Sequence, residues 1–152
     1  MDCSVPKIRR RTPWFAGGLR FDCTRCGNCC SGAPGYVWVS HDEIRAIAGL
    51  LGMSAERFAE QHTRRVGQRQ SLLELEDGDC EFLVREPDGN TSCSIHAARP
   101  RQCRAWPFWD SNLGSARSWQ AAARGCPGIN QGPLHSLAVI RAALNENDGL
   151  PL

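Results

Sequence analysis

The chain has 152 residues, 22% of them charged, and a formal net charge of +2, which suits one domain with a modest core. So small a charge does not argue for nucleic acid. No recognition-helix pattern or aromatic RNA-binding motif is present, so no nucleic-acid partner is expected. No stretch approaches membrane-spanning length, and residues 1–22 are basic, carry Pro6 and Pro13 and lack an apolar signal core. Nine cysteines without an export signal are read as thiols in a reducing, cytoplasmic setting without a membrane, not as disulfides.

In chain order, residues 1–20 read as a poorly ordered segment holding the isolated Cys3. Residues 21–129 read as a cysteine-cluster metal-binding domain, and 130–152 as a C-terminal packing helix and tail. The domain opens on Cys23-Thr24-Arg25-Cys26-Gly27-Asn28-Cys29-Cys30, four thiols in eight residues. The C-x-x-C-x-x-C spacing lets a short loop turn several sulfurs toward one point. Gly27 relieves the backbone at the tightest turn, and Asn28 tolerates the same left-handed geometry. Adjacent Cys29 and Cys30 are expected to point apart, so that one of them serves a second centre.

After a turn at Gly32-Ala33-Pro34-Gly35, Tyr36 to Val39 reads as a short strand. Ser40 and Glu43 form a capping box for a helix with Ile44, Ile47, Ala48 and Leu51 on one face, closed by Gly52. A second helix is predicted from Ser54 to about Val66. Residues 71–95 alternate apolar runs with Asp77-Gly78 and Pro87-Asp88-Gly89-Asn90, the pattern of a small antiparallel meander with Cys80 and Cys93 flanking its second hairpin. Pro100 and Pro107 limit 95–109 to a turn or two of helix. Beside Cys103, Trp106, Phe108 and Trp109 form an aromatic cluster that reads as core. Ser115 is expected to cap a helix through Ala123, and Leu134 to Leu144, with Leu137, Ile140 and Leu144 apolar, reads as a last packing helix. The fold class predicted is α+β, a small single domain with short helices around the meander, organised by cysteine metal sites.

Without Cys3 there remain Cys23, Cys26, Cys29, Cys30, Cys80, Cys93, Cys103 and Cys126, two sets of four. Tetrahedral zinc and cubane iron–sulfur clusters each take four thiolates, so one site or two are open. Arg99 and Arg104, close to cysteines in sequence, suit the role of offsetting thiolate charge and donating hydrogen bonds to a bound group. His41, His62 and His135 are scattered and read as surface or packing residues. The common catalytic motifs, a Ser-His-Asp order, a glycine-rich phosphate loop and an H-E-x-x-H helix, are missing, so no catalytic residue is assigned.

The blocks Phe21 to Cys30, Gly78 to Leu83, Cys93 to Phe108 and Cys126 to Ile129, in that order, resemble the YkgJ-type family of CxxCxxCC domains. The resemblance implies zinc or iron chelation across residues 21 to 129. His96 stands where the family leads one to expect tyrosine, either as a harmless variant or as a nitrogen ligand. A related cysteine block occurs in flagellin lysine methylases, but no nucleotide cradle is present here. The C-x-x-C-x-x-C run with a remote Cys126-Pro127 partly resembles bacterial ferredoxins, whereas structural zinc would normally bring two C-x-x-C knuckles. The expectation is therefore one or two 4Fe-4S clusters with a redox, sensing or structural role and an unidentified protein partner. A zinc-stabilised interaction module and a cluster-assisted enzyme are the alternatives.

Overall fold

The computed structural model describes residues 11–148. Its elements are β1 (Leu19–Phe21), β2 (Trp38–Val39), α1 (His41–Leu51), α2 (Ala55–His62), β3 (Thr63–Val66), β4 (Arg69–Leu72), β5 (Leu83–Arg85), β6 (Thr91–Cys93), α3 (Arg101–Ala105), α4 (Asp110–Leu113), α5 (Ala116–Ala123), β7 (Ile129–His135) and α6 (Leu137–Asp148). The α+β class is as expected. The strands fall into three small antiparallel sheets, β1-β7, β2-β4-β3 and β5-β6, and the run 71–95 contributes to two of them.

Local signals decide the ends of α1. Ser40 Oγ accepts from the Glu43 amide at 3.2 Å while Glu43 Oε2 accepts from the Ser40 amide at 2.8 Å, and Gly52 takes φ 69° at the other end. The helix buries Ile44, Ile47 and Ala48. Ser54 caps α2, which stops at His62, four residues short of the Val66 expected from periodicity. The β-branched Thr63 and Val66 go instead into a hairpin, with Thr63 paired to Leu72 and Val66 to Arg69 around Gly67. Ladder hydrogen bonds and burial of Leu72 outweigh one further helical turn. In the same way the last helix begins at Leu137 because 129–135 pair with β1, Leu19 facing His135 and Arg20 facing Leu134.

Two hydrophobic clusters result. Val39, Ile44, Ile47, Phe58, Leu72, Phe82 and Ile95 fill the first, with the Phe58 and Phe82 rings stacked at 6.1 Å. Phe15, Leu19, Phe108, Leu113, Trp119, Ile129 and Ile140 fill the second, with Phe108 and Trp119 stacked at 5.9 Å. Each such side chain contributes about 1.5–3 kcal/mol by leaving water. Of the segment 1–20, residues 11–20 are described: Phe15 and Leu19 belong to the second cluster, and Trp14 donates its indole N–H to the Leu113 carbonyl at 2.8 Å. Residues 1–10, with Cys3, lie outside the described residues. Among those described, no helix is long and apolar enough to cross a membrane.

Candidate metal centre

The cysteine loop runs between the two clusters, and hydrogen bonds to main-chain carbonyls hold it to both. On one side the Asp22 amide donates to the Gly128 carbonyl at 3.1 Å, and Asn28 Nδ2 donates to the Gly125 carbonyl at 2.9 Å. On the other, the Thr91 amide donates to the Arg25 carbonyl at 3.0 Å, and the Cys80 amide to the Cys30 carbonyl at 2.7 Å. Gly27 is buried at φ 78° against the Thr91 side chain and starts the 3₁₀ turn Asn28–Cys30. The backbone therefore brings the Cys80, Cys93 and Cys126 blocks onto the first cysteine loop, although they are far apart in sequence.

Cys29, Cys30, Cys80 and Cys103 line one cavity of about 280 Å³, walled also by Tyr36, Trp106 and Trp109. Gly78 closes the floor, where the Gly32 carbonyl occupies the space a Cβ would need. Cys29 and Cys30 do not point fully apart: their sulfurs stand 3.8 Å from one another, since a 3₁₀ turn sets successive side chains about 120° apart and not the roughly 180° of a strand. That corrects the expectation from adjacency. Among the described residues no three Cys, His, Asp or Glu side chains meet at one single-ion point; the four cysteines line the cavity instead.

The thiols titrate as a group. A hydrogen bond from Cys30 brings Cys29 down to about 7, against its burial, with its own backbone amide and the Arg99 guanidinium lending further help. The same bond pushes Cys30 up, together with desolvation and the nearness of Cys29, Cys103 and Cys80. Desolvation, followed by Cys80, Cys93 and Cys29, raises Cys103 to about 12. Cys80 is raised for the same first reason, with Cys93, Glu81 and Glu74 adding to it. A cation entering the cavity must displace these protons, and it would relieve the crowding that holds them.

Arg99 is near enough to favour the thiolate forms of Cys29 and Cys103, and its guanidinium donates to His96 Nε2. His96 is exposed and outside the cavity lining. Arg104 reaches the Arg99 carbonyl at 2.8 Å, so it braces the turn beneath Arg99. Cys93 ends β6 opposite Leu83, near enough to Cys80 and Cys103 to raise both. Cys23 is exposed and Cys26 half-buried, both on the loop stretch tied to 125–128, and Cys126 is packed in the second cluster. None of Cys23, Cys26, Cys93 and Cys126 lines the cavity. His62 bonds Glu81 at 2.9 Å and His135 bonds the Phe21 carbonyl at 2.9 Å.

Two supporting residues went unread in the sequence. Gln102, one position before Cys103, accepts from the Trp38 amide and donates to the Tyr36 carbonyl, each at 2.9 Å, fixing α3 to β2. Glu43 accepts from the Arg101 amide at 2.7 Å, so the residue that caps α1 also caps α3. The capping box was a signal for the first role; nothing local signals the second.

The family described as "CxxCxxCC: Putative zinc- or iron-chelating domain" matches residues 22–127. The chain belongs to the CxxCxxCC family. No solved structure matches it. The family match begins and ends at the two sides of the Asp22–Gly128 tie, and within it lie all eight described cysteines. The cavity fits the chelating character of the CxxCxxCC family by its donor set, four thiols from three separate pieces of chain. It also fits through Trp106, whose buried indole Nε1 has no hydrogen-bond partner, while that of Trp109 donates to the Gln102 carbonyl at 2.9 Å. An unpaired buried N–H costs about 1–3 kcal/mol, a cost that an acceptor in the cavity would remove.

Proposed function

We propose that the protein carries an iron–sulfur centre held by Cys29, Cys30, Cys80 and Cys103, in a redox or sensing role that also secures the fold. The observation that carries this is that four cysteines line one space of about 280 Å³ together with Tyr36, Trp106 and Trp109. Such a space suits a group of several atoms better than one ion, and the surrounding Tyr36, Trp106 and Trp109 would limit water, a known influence on cluster potential. When bound, the centre would supply one-electron chemistry. The chain's own residues do the rest: Arg99 offsets thiolate charge, Trp106 offers its N–H, and Gln102 and Glu43 hold Cys103 in place. Under the same reading Cys93, near Cys80 and Cys103, is a further donor to this centre, and Cys23, Cys26 and Cys126 stand as candidate donors outside it.

One observation favours a zinc-stabilised module instead: sulfurs bound to one zinc at about 2.3 Å lie about 3.8 Å apart in a tetrahedron, and Cys29 and Cys30 show that separation. Anaerobic purification with elemental analysis tests both. Brown protein with iron, acid-labile sulfide and broad charge-transfer absorption is the expected result. Colourless protein with stoichiometric zinc would select the second reading, and neither metal would end both. Serine at Cys80 or Cys103 should strip most of the metal; full retention in both would remove them from the ligand set.

A further inference from the structure

Among the described residues one thiol pair is in contact, Cys29 and Cys30, with sulfurs 3.8 Å apart. No such contact joins Cys80 or Cys103, which line the same cavity, to either of them or to each other. The 3₁₀ turn Asn28–Cys30 fixes the pair: the Cys30 amide donates to the Gly27 carbonyl at 2.9 Å, and the Cys30 carbonyl accepts from the Cys80 amide at 2.7 Å. Cys29 is exposed, so an oxidant in solution reaches it, and Cys30 is half-buried beside it.

Bonding would draw the sulfurs from 3.8 Å to about 2.05 Å, by rotation of the side chains and some twist of the peptide between them. The Cα atoms of neighbours on a trans peptide are about 3.8 Å apart, less than the roughly 4.4–6.8 Å usual across a disulfide. A bond here is therefore strained and easily reduced, which suits a reversible device and not a structural crosslink.

We propose that Cys29 and Cys30 close into a reversible vicinal disulfide when the metal-free protein meets an oxidised thiol pool, and that this bond blocks metal loading. The block rests on the reading of both cysteines as donors to the centre, whereas the bond itself needs only their contact. The oxidant is a small disulfide such as oxidised glutathione. The Cys29 thiolate attacks one of its sulfurs, breaking the S–S bond and releasing one glutathione thiolate. The Cys30 thiolate then attacks the Cys29 sulfur of the mixed disulfide and releases the second. Two cysteine thiols are oxidised, glutathione disulfide is reduced, and the two protons pass to the departing glutathiones. Two of the four thiols that line the cavity are thereby withdrawn, while a metal already bound to both sulfurs prevents the first attack.

The test uses the full chain, purified anaerobically and divided into metal-loaded and chelator-treated samples. Each is equilibrated with oxidised glutathione, alkylated and digested with trypsin. Cleavage after Arg25 and Arg45 leaves Cys26, Cys29 and Cys30 in one peptide without other cysteines. From the chelator-treated chain this peptide should carry one alkyl group, on Cys26, and lack two hydrogens, a change that dithiothreitol reverses. The metal-loaded chain should be protected, and oxidation in urea should scatter the pairing over other cysteines. Zinc, titrated against a chromophoric chelator, should bind the oxidised chain at least tenfold more weakly than the reduced one. The disulfide is overturned if Cys29 and Cys30 both remain alkylated, if either pairs mainly elsewhere, or if the native chain gives the same mixture as the urea sample. Equal oxidation of the metal-loaded chain, or equal zinc affinity before and after oxidation, overturns the block. Reduced C29S/C30S protein binding zinc as tightly as reduced wild type would overturn the donor reading and the block with it, while the peptide map still decides the disulfide.

Discussion

Replacing Gly27 by alanine should damage both stability and metal retention. Gly27 sits at φ 78° and ψ 0°, where an L-residue costs about 1–2 kcal/mol. An added Cβ would also stand 2.7 Å from Thr91 Cγ2 and 2.8 Å from its Oγ1, closer than side chains pack, with Thr91 itself buried. Relief requires moving the loop off β6, which would break the bonds from the Thr91 amide and hydroxyl to the Arg25 carbonyl at 3.0 and 2.7 Å. Overpacking of this kind costs a further 1–3 kcal/mol or so, for a total of about 2–5 kcal/mol. At roughly 2–4 °C per kcal/mol for a chain of this size, the melting midpoint of the metal-loaded protein should fall by about 4–20 °C. Metal content should fall with it, because Cys26 and Cys29 flank the displaced turn. Thr91→Ala alone should cost about 1 kcal/mol through its lost hydrogen bond. Combined with Gly27→Ala it removes the two nearest obstructing atoms and leaves the Thr91 Cβ at 3.1 Å, so the double variant should be less destabilised than the sum of the singles by about 1–2 kcal/mol. Calorimetry and elemental analysis on the four proteins settle it. A Gly27→Ala variant melting within about 2 °C of wild type with full metal would refute the account of the loop.

Gly49, helical in α1 with nothing within 4 Å of an added Cβ, provides the opposite case: Gly49→Ala should raise stability by about 0.5–1 kcal/mol in a denaturant titration. Glu43 is held below its ordinary value of 4.5: burial acts against this, but the Arg101 and Ser40 amides and the Arg101 charge prevail. A depressed carboxylate stabilises above its unfolded value, so Glu43→Gln should cost about 1.5–3 kcal/mol at neutral pH, the worth of one charged hydrogen bond. That deficit should shrink as pH drops below 4.5, and a gap that stays constant down to pH 3 would contradict it. Trp106→Phe should leave the metal-free protein as stable as wild type or more so, since it deletes an unpaired buried donor, yet weaken metal retention severalfold in a chelator competition. Equal losses in both states would mean the indole N–H faces no bound group.

Where the chain's signals are local, the sequence was readable. The Ser40–Glu43 box, Gly52, Ser54 and Ser115 each cap the helix end expected of them. The cysteine blocks identified the family, and Cys29, Cys30, Cys80 and Cys103 do share a cavity. What escaped was settled by distant partners. Thr63 to Val66 are extended because β4 is there to pair with them, and Ile129 to His135 because β1 is. Periodicity carries no information about such pairings. Cys29 and Cys30 bring their sulfurs within 3.8 Å because a 3₁₀ turn, without the alternation of a strand, carries them. The role of Gln102 is equally invisible, since its side chain bonds backbone 66 and 64 residues earlier.

The four ties of the cysteine loop have a consequence for how the chain survives in a cell. Among the described residues each hydrophobic cluster holds only eight buried residues, too few for a free-standing domain. The loop works as a rivet through both, and an inorganic centre seated beneath it would clamp the rivet shut. Starved of that centre, the two halves would loosen separately, so the amount of protein that escapes proteolysis should track metal supply before any redox task is performed.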